Sequence, residues 1–110
     1  MNRQVAKNAK GMRSIGKMAI THVDGRQSAK ILIYTLSTCG WCRLTKELLN
    51  QLGVAYDYVD VDRLDPDETA RVREELMTWN PSCSFPTVVI DGKECIIGFQ
   101  EDRIRKAVGA

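Results

Sequence analysis

The chain has 110 residues and a mass of 12.4 kDa, with 44% hydrophobic and 27% charged residues, the make-up of one ordinary globular domain. No apolar run approaches the roughly 18 to 20 residues that a membrane-spanning helix needs, and no uninterrupted hydrophobic stretch near the N-terminus resembles a secretory signal. The expectation is a soluble, cytoplasmic protein, not a membrane protein or a large multidomain enzyme. Sixteen Lys and Arg against fourteen Asp and Glu leave +2, unevenly spread. Arg3, Lys7, Lys10, Arg13 and Lys17 meet no acid within residues 1–20, so the other ninety residues carry eleven bases and fourteen acids, a net of −3. A mildly acidic body lacks the excess positive charge from which phosphate affinity arises, which argues against nucleic-acid binding.

Residues 1–28 read as a basic, unstructured tail, since small, basic and glycine residues alternate there without a sustained period. An extended start with Met12 or Met18 as initiator, a basic arm for an anionic partner and an organellar presequence are the competing explanations for its first part. A globular domain is expected over residues 29–110. Ile31-Leu32-Ile33-Tyr34-Thr35-Leu36 is apolar on both faces, as a central parallel strand should be. Leu44, Leu48 and Leu52, widened by Leu49, predict an amphipathic helix stopped by Gly53, and Tyr56 to Val61 predicts a second strand, completing a right-handed βαβ unit.

Asp65-Pro66-Asp67-Glu68 then offers a capping carboxylate, proline at the first helical position and acids near the positive end of the helix dipole. Val72, Leu76 and Trp79 supply that helix's buried stripe, and Asn80-Pro81 ends it, because proline disfavours helical geometry in the residue before it. Thr87–Ile90 and Glu94–Ile97, joined through Asp91-Gly92, form a hairpin with the composition of a tight primed turn. A last helix carries Ile104, Ala107 and Val108 on one face. The expected order is β-α-β-α-β-β-α, an α/β fold with a four-stranded mixed sheet flanked by helices.

Four cysteines, Cys39, Cys42, Cys83 and Cys95, stand in a chain without export features. Reactive, metal-binding or plain buried thiols are therefore favoured over a stapled extracellular scaffold. Cys39 and Cys42 straddle the start of the first predicted helix, where free N–H groups and the positive end of the macrodipole favour a thiolate on Cys39, with Cys42 shielded one turn in. Zinc sites use the same spacing, but Cys83 and Cys95 are separated by a predicted turn and strand and do not make a second zinc knuckle. A dithiol between a hydrophobic strand and a helix instead points to redox chemistry, with no metal ligand assigned.

Tyr34-Thr35, Cys39-Gly40-Trp41-Cys42, Phe85-Pro86-Thr87 and Gly98-Phe99, in that order, resemble the glutaredoxin family of the thioredoxin superfamily over about residues 29–109. The resemblance implies a thioredoxin fold and a dithiol–disulfide oxidoreductase in which Cys39 attacks and Cys42 resolves. It further implies a cis Pro86, a Phe85 backbone exposed for pairing with an extended thiol or peptide substrate, an aromatic wall at Trp41 where the family commonly has Tyr, and a substrate-facing Gly98-Phe99. Leu36 stands where many members carry Lys, Ser84-Phe85-Pro86 replaces Thr-Val-Pro, and Ile97-Gly98 replaces a Gly-Gly pair. These changes remove a carboxylate partner and a close backbone approach, so glutathione is a poor fit. The Gly98-Phe99-Gln100-Glu101-Asp102 segment resembles glutaredoxin-like redoxins that donate electrons to ribonucleotide reductase. This implies disulfide-bearing protein substrates and recharging by a thioredoxin-reductase-like, flavin- or ferredoxin-linked reductase, in a monomer that needs no cofactor. A glutathione-dependent glutaredoxin is the nearest alternative. A [2Fe–2S] carrier, which Gly40 permits, is the alternative of another class, the cluster being held between two subunits by the first cysteine and glutathione.

Cys83, three residues before Pro86, is a candidate accessory thiol near Cys39, whereas Cys95 among isoleucines reads as core. His22 receives no role. The acidic run from Asp57 to Glu68 reads as a solvated edge followed by a helix start.

Overall fold

The computed structural model describes residues 20–109; the readings of residues 1–19 as a basic arm, presequence or alternative start lie outside the described residues. Among the described residues, five strands and three α-helices follow in chain order: β1 (Thr21–Val23), β2 (Ile31–Thr35), α1 (Gly40–Leu52), β3 (Tyr56–Asp60), α2 (Pro66–Trp79), β4 (Thr87–Ile90), β5 (Glu94–Ile97) and α3 (Glu101–Ala107), with a 3-10 turn over Val61–Arg63. The sheet order is β1-β3-β2-β4-β5. The β2–β3 pair is parallel, as the βαβ reading requires, and the remaining pairs are antiparallel.

Alternation along the strands divides the core in two. Ile31 and Ile33, Tyr56, Val88 and Ile90, and Ile96 face Leu48 and Leu49 of α1 and Ile104 of α3. Tyr34, Val59 and Val89 face Val72 and Leu76 of α2. β2 is therefore buried on both faces, which is why its sequence is a continuous apolar run. The buried positions of α1 are Cys42, Thr45, Leu48 and Leu49, and Leu44 is exposed. The expected Leu44–Leu48–Leu52 stripe was thus rotated from the true one, because the second cysteine and a threonine, both small, fill the crowded end of the helix nearest the sheet.

Two expectations are corrected by β1. The sheet has five strands, not four, and residues 20–28 are not unstructured. Thr21, His22 and Val23 pair antiparallel with Tyr58, Asp57 and Tyr56, covering an edge that β3 would otherwise leave open. Beyond the strand, Arg26 N–H donates to the Gly53 carbonyl at 2.7 Å, and Ala55 N–H donates to the Arg26 carbonyl at 2.9 Å. Gly25 permits this close approach, since a Cβ there would meet backbone atoms of Val54, Ala55 and Gly53 at 2.5–2.8 Å.

The local signals for the other elements are realised. Asp65 caps α2 by accepting from Glu68 N–H at 2.8 Å, with Pro66 at the first helical position, and Gly53 ends α1 in the left-handed region at φ 69°. Asp91 and Gly92 both have positive φ, 55° and 63°, as a primed turn demands. Lys93 adds a third residue to the loop before Glu94 pairs with Ile90. The hairpin tip is tied to the sheet: Asp91 N–H donates to the Lys30 carbonyl and its carboxylate accepts from Lys30 N–H. Among the described residues no helix is long and apolar enough to cross a membrane.

Candidate active site

Cys39 is the N-cap of α1, with extended backbone at φ −88° and ψ 120°, and its sulfur accepts the Cys42 N–H at 3.2 Å. One of the unsatisfied N–H groups at the helix start is thereby aimed at the sulfur. The first turn of α1 holds no acidic side chain to compete for that positive end. Cys39 is partly exposed, whereas Cys42 is 1% exposed, and both are free thiols. Burial, reinforced by its hydrogen bond with Cys39, pushes the Cys42 thiol up to about 12, against a smaller opposing effect of the Leu36 backbone. The two sulfurs therefore have different tasks open to them: one meets solvent at a helix terminus, the other waits protonated beneath it.

The turn that presents Cys39 is braced from β3's side of the sheet. Asp62 accepts from Ser37 N–H at 2.8 Å and from the Ser37 hydroxyl at 2.5 Å, and Cys39 N–H donates to the Leu36 carbonyl at 3.1 Å. These bonds from Ser37 hold the Asp62 carboxyl below the usual carboxylate range. Asp60 accepts from the buried Thr35 hydroxyl at 2.5 Å and lies 3.4 Å from the Lys46 ammonium. That ammonium also sits 3.8 Å from the centroid of the Tyr58 ring. The acidic run is thus hydrogen-bonded scaffolding around the site as well as a solvated edge.

The residues singled out for substrate contact are linked around a buried Pro86, with Trp41 exposed and Phe85, Gly98 and Phe99 partly exposed. Trp41, 61% exposed, stacks on Phe99 with ring centroids 5.9 Å apart. Gly98, at φ 83°, donates its N–H to the Pro86 carbonyl at 2.8 Å, and the Phe85–Pro86 peptide bond is cis. Cys39, Trp41, Phe99, Gly98, Pro86 and Phe85 are linked in that order from the helix start across to the loop before β4. Beside them an open groove is lined by Gly40, Trp41, Arg43, Leu44 and Glu47, so the exposed Leu44 belongs to this surface.

Cys83 is half-buried at a positive φ of 53°, and its side chain packs with the cluster between the sheet and α2. Cys95 packs on the same cluster and donates its S–H to the Trp79 carbonyl at 3.3 Å, satisfying the end of α2. Among the described residues no group of three or more His, Cys, Asp or Glu side chains is arranged to hold a metal ion.

Sequence reasoning missed Asp62, Ser37, the Lys46–Asp60 pair and Asn80. In sequence Asn80 is only a helix stop, yet it is 1% exposed and hydrogen-bonded throughout the loop that carries Pro86. A buried asparagine beside a proline was the available signal, but burial of a loop residue is not written in local pattern.

The family model that matches this chain is Glutaredoxin, over residues 31–95, which runs from β2 through both active-site cysteines and Pro86 into β5. The chain belongs to the glutaredoxin family. Among its relatives, a glutaredoxin-like 8.6 kDa protein of the rubredoxin operon of Clostridium pasteurianum is 36% identical over 71% of this chain and 96% of its own length. The solved structure of a glutaredoxin from Methanosarcina mazei Go1 is similar at 47% identity and a TM-score of 0.77, covering 84% of this chain and 89% of that one. A methanoredoxin from Methanosarcina acetivorans is similar at 44% identity and a TM-score of 0.76, covering 78% and 90%. The protein is a glutaredoxin-like thiol–disulfide oxidoreductase with a redox-active Cys39–Cys42 centre.

Proposed function

We propose that this glutaredoxin-family protein reduces protein or low-molecular-weight disulfides and is recharged by a reductase protein of the flavin- or ferredoxin-linked kind, in the cytoplasm and as a monomer. The observation that carries the dithiol reading is the Cys39 sulfur at the α1 N-cap, hydrogen-bonded to Cys42 N–H, above a buried Cys42 thiol. Cys39 as thiolate attacks one sulfur of the substrate disulfide, that bond breaks, and the departing sulfur takes a proton. Cys42 then loses its proton and attacks the Cys39 sulfur of the mixed disulfide. The second substrate thiol leaves, and two electrons have moved from the dithiol to the substrate. Recharging reverses this with two electrons from the donor.

The preference for a reductase over glutathione rests on charge. Leu36 packs towards α2 and offers no cation, Lys46 is engaged by Asp60 and Tyr58, and Asp62, Glu101 and Asp102 add negative charge around the turn and the start of α3. Arg43, on the groove, is the cation left for a ligand carboxylate there. Incubating the oxidised protein with excess glutathione, alkylating it and counting labelled thiols by peptide mass spectrometry tests the donor. A Cys39–Cys42 disulfide that stays closed supports the reductase; rapid opening makes the protein glutathione-dependent.

The catalytic roles are tested separately. Cys39→Ser abolishes reduction and Cys42→Ser accumulates mixed disulfide on Cys39; full turnover by Cys39→Ser refutes the assignment. No resident cofactor is proposed, and a brown colour with near-ultraviolet absorption after anaerobic purification would replace the dithiol reading with the [2Fe–2S] carrier.

A further inference from the structure

The loop between α2 and β4 makes an unusual use of one side chain. Asn80 follows the last residue of α2, with φ −141° and ψ 92°, and its N–H closes the helix by donating to the Leu76 carbonyl at 2.8 Å. Its side chain then turns into the protein. The amide nitrogen lies 3.2 Å from the Ser84 carbonyl, 3.0 Å from the Ser84 hydroxyl and 3.0 Å from the Thr87 hydroxyl, and its two hydrogens are shared among these three acceptors. The amide oxygen accepts from Ser82 N–H at 3.1 Å, while the backbone carbonyl of Asn80 accepts from Cys83 N–H at 2.9 Å. Thr87 closes the ring by donating its hydroxyl to the Ser84 carbonyl at 2.9 Å.

One buried residue thus holds Ser82, Cys83, Ser84 and Thr87, the neighbours of Phe85–Pro86 on both sides. None of these bonds uses the N–H or carbonyl of Phe85. The Pro86 carbonyl is taken by Gly98 N–H, which ties the same loop to the Phe99–Trp41 stack beside Cys39. The loop is fixed from within by the buried Asn80 and Thr87, with Ser82 and Ser84 at the surface, and these bonds leave the Phe85 backbone to an outside partner. A primary amide suits this position: it supplies two N–H donors and an acceptor in one plane, where a carboxylate would face the Ser84 carbonyl with no proton to give.

We infer that Asn80 is a positioning residue for disulfide reduction, acting through Ser84 and Thr87 to hold the Phe85 backbone where a peptide-borne disulfide pairs with it as Cys39 attacks. This rests on the dithiol function proposed above. Asn80 touches neither reacting sulfur, so its contribution falls on substrates that possess a peptide backbone. A small disulfide without amides, such as bis(2-hydroxyethyl) disulfide, has nothing to pair with the loop.

The experiment mixes pre-reduced full-length protein with either a seven-residue peptide carrying a central mixed disulfide or bis(2-hydroxyethyl) disulfide, and follows a single turnover by Trp41 fluorescence and by quenched mass spectrometry. Loss of about one hydrogen bond's worth of positioning in Asn80→Ala raises the half-saturating peptide concentration about tenfold, with the small disulfide reduced at the wild-type rate. Should Asn80→Ala fail to fold, Thr87→Val decides: it keeps shape and strand preference, removes the acceptor for Asn80 and the donor to the Ser84 carbonyl, and shifts the peptide, not the small disulfide, in the same direction. Wild-type saturation with the peptide, or an equal loss on both disulfides, overturns the inference while leaving the dithiol function intact. Failure of the wild-type protein to reduce either disulfide overturns both.

Discussion

Cys39 and Cys42 lie three residues apart yet differ in reactivity for physical reasons that single residues display. Burial raises the Cys42 thiol to about 12, so at pH 8 it is overwhelmingly protonated, whereas Cys39 meets solvent at the helix N-cap. Brief treatment of the reduced protein with iodoacetamide at pH 8 should label Cys39 and spare Cys42 by peptide mass spectrometry. Equal labelling would mean that the helix start opens freely. Asp62 works at the same scale. Its ordinary value of 3.8 is lowered in the fold, chiefly by the Ser37 hydroxyl, so its brace is complete above that value and is lost only as pH falls through the lower folded one. Across the neutral range the brace is constant, and Asp62→Ala should slow disulfide reduction severalfold at every pH between 6 and 8; a change confined to one end of that range would assign the effect elsewhere.

Among the elements, β1 is the one whose presence depends on neighbours. His22 joins it to β3 through Asp57 at 2.6 Å and reaches Asp24 at 3.0 Å on its other ring nitrogen. The Asp57 hydrogen bond is the main reason the imidazole binds its proton more tightly than its ordinary value of 6.5. With a raised folded value, the stabilisation is fully present below about 6.5 and fades as pH rises through that higher value. An NMR titration of His22 should give a midpoint above 6.5, and His22→Gln should remove the corresponding pH dependence of the β1 amide protection; a midpoint at or below 6.5 contradicts the pairing. Gly25 offers an independent test. A methyl group there meets only backbone, which has no flexible end to move aside, so Gly25→Ala should lift the strap from Val54 and cost about 1–3 kcal/mol in urea unfolding. An unchanged stability would show that the segment readjusts without loss.

At the scale of the whole molecule, two cores share one sheet, one against α1 and α3 and the other against α2. Leu49, fully buried against β2, β4 and α3, is a keystone of the first core; Leu49→Ala should cost about 2–5 kcal/mol by urea unfolding, and less than 1 would mean that α1 is not packed as described. Much of this architecture was legible in local sequence. The uniformly apolar β2, the Cys39–Cys42 pair at a strand–helix junction, the Asp65-Pro66 helix start and the Asp91-Gly92 turn each carry their own signal, because periodicity, caps and turn chemistry act within a few residues. Together with Phe85-Pro86 and Gly98-Phe99 they marked the family. What local pattern could not show was decided by contacts between distant segments. β1 has three residues, of which only Val23 reaches the core, so its place in the sheet depends chiefly on the unpaired edge that β3 offers. Leu44 was assigned to the core by spacing, but the packing surface beneath α1 chose Cys42 and Thr45. Asn80 became the hub of the loop before β4 only when Ser84 and Thr87 were folded back over it. The sequence by itself determined the chemistry, since thiols, prolines and glycines carry it wherever they are placed. The tertiary structure alone decided that β1 joins the sheet, that Thr45 and not Leu44 packs beneath α1 and that Asn80 ties the loop before β4, because burial and long-range hydrogen bonding are properties of assembled neighbours.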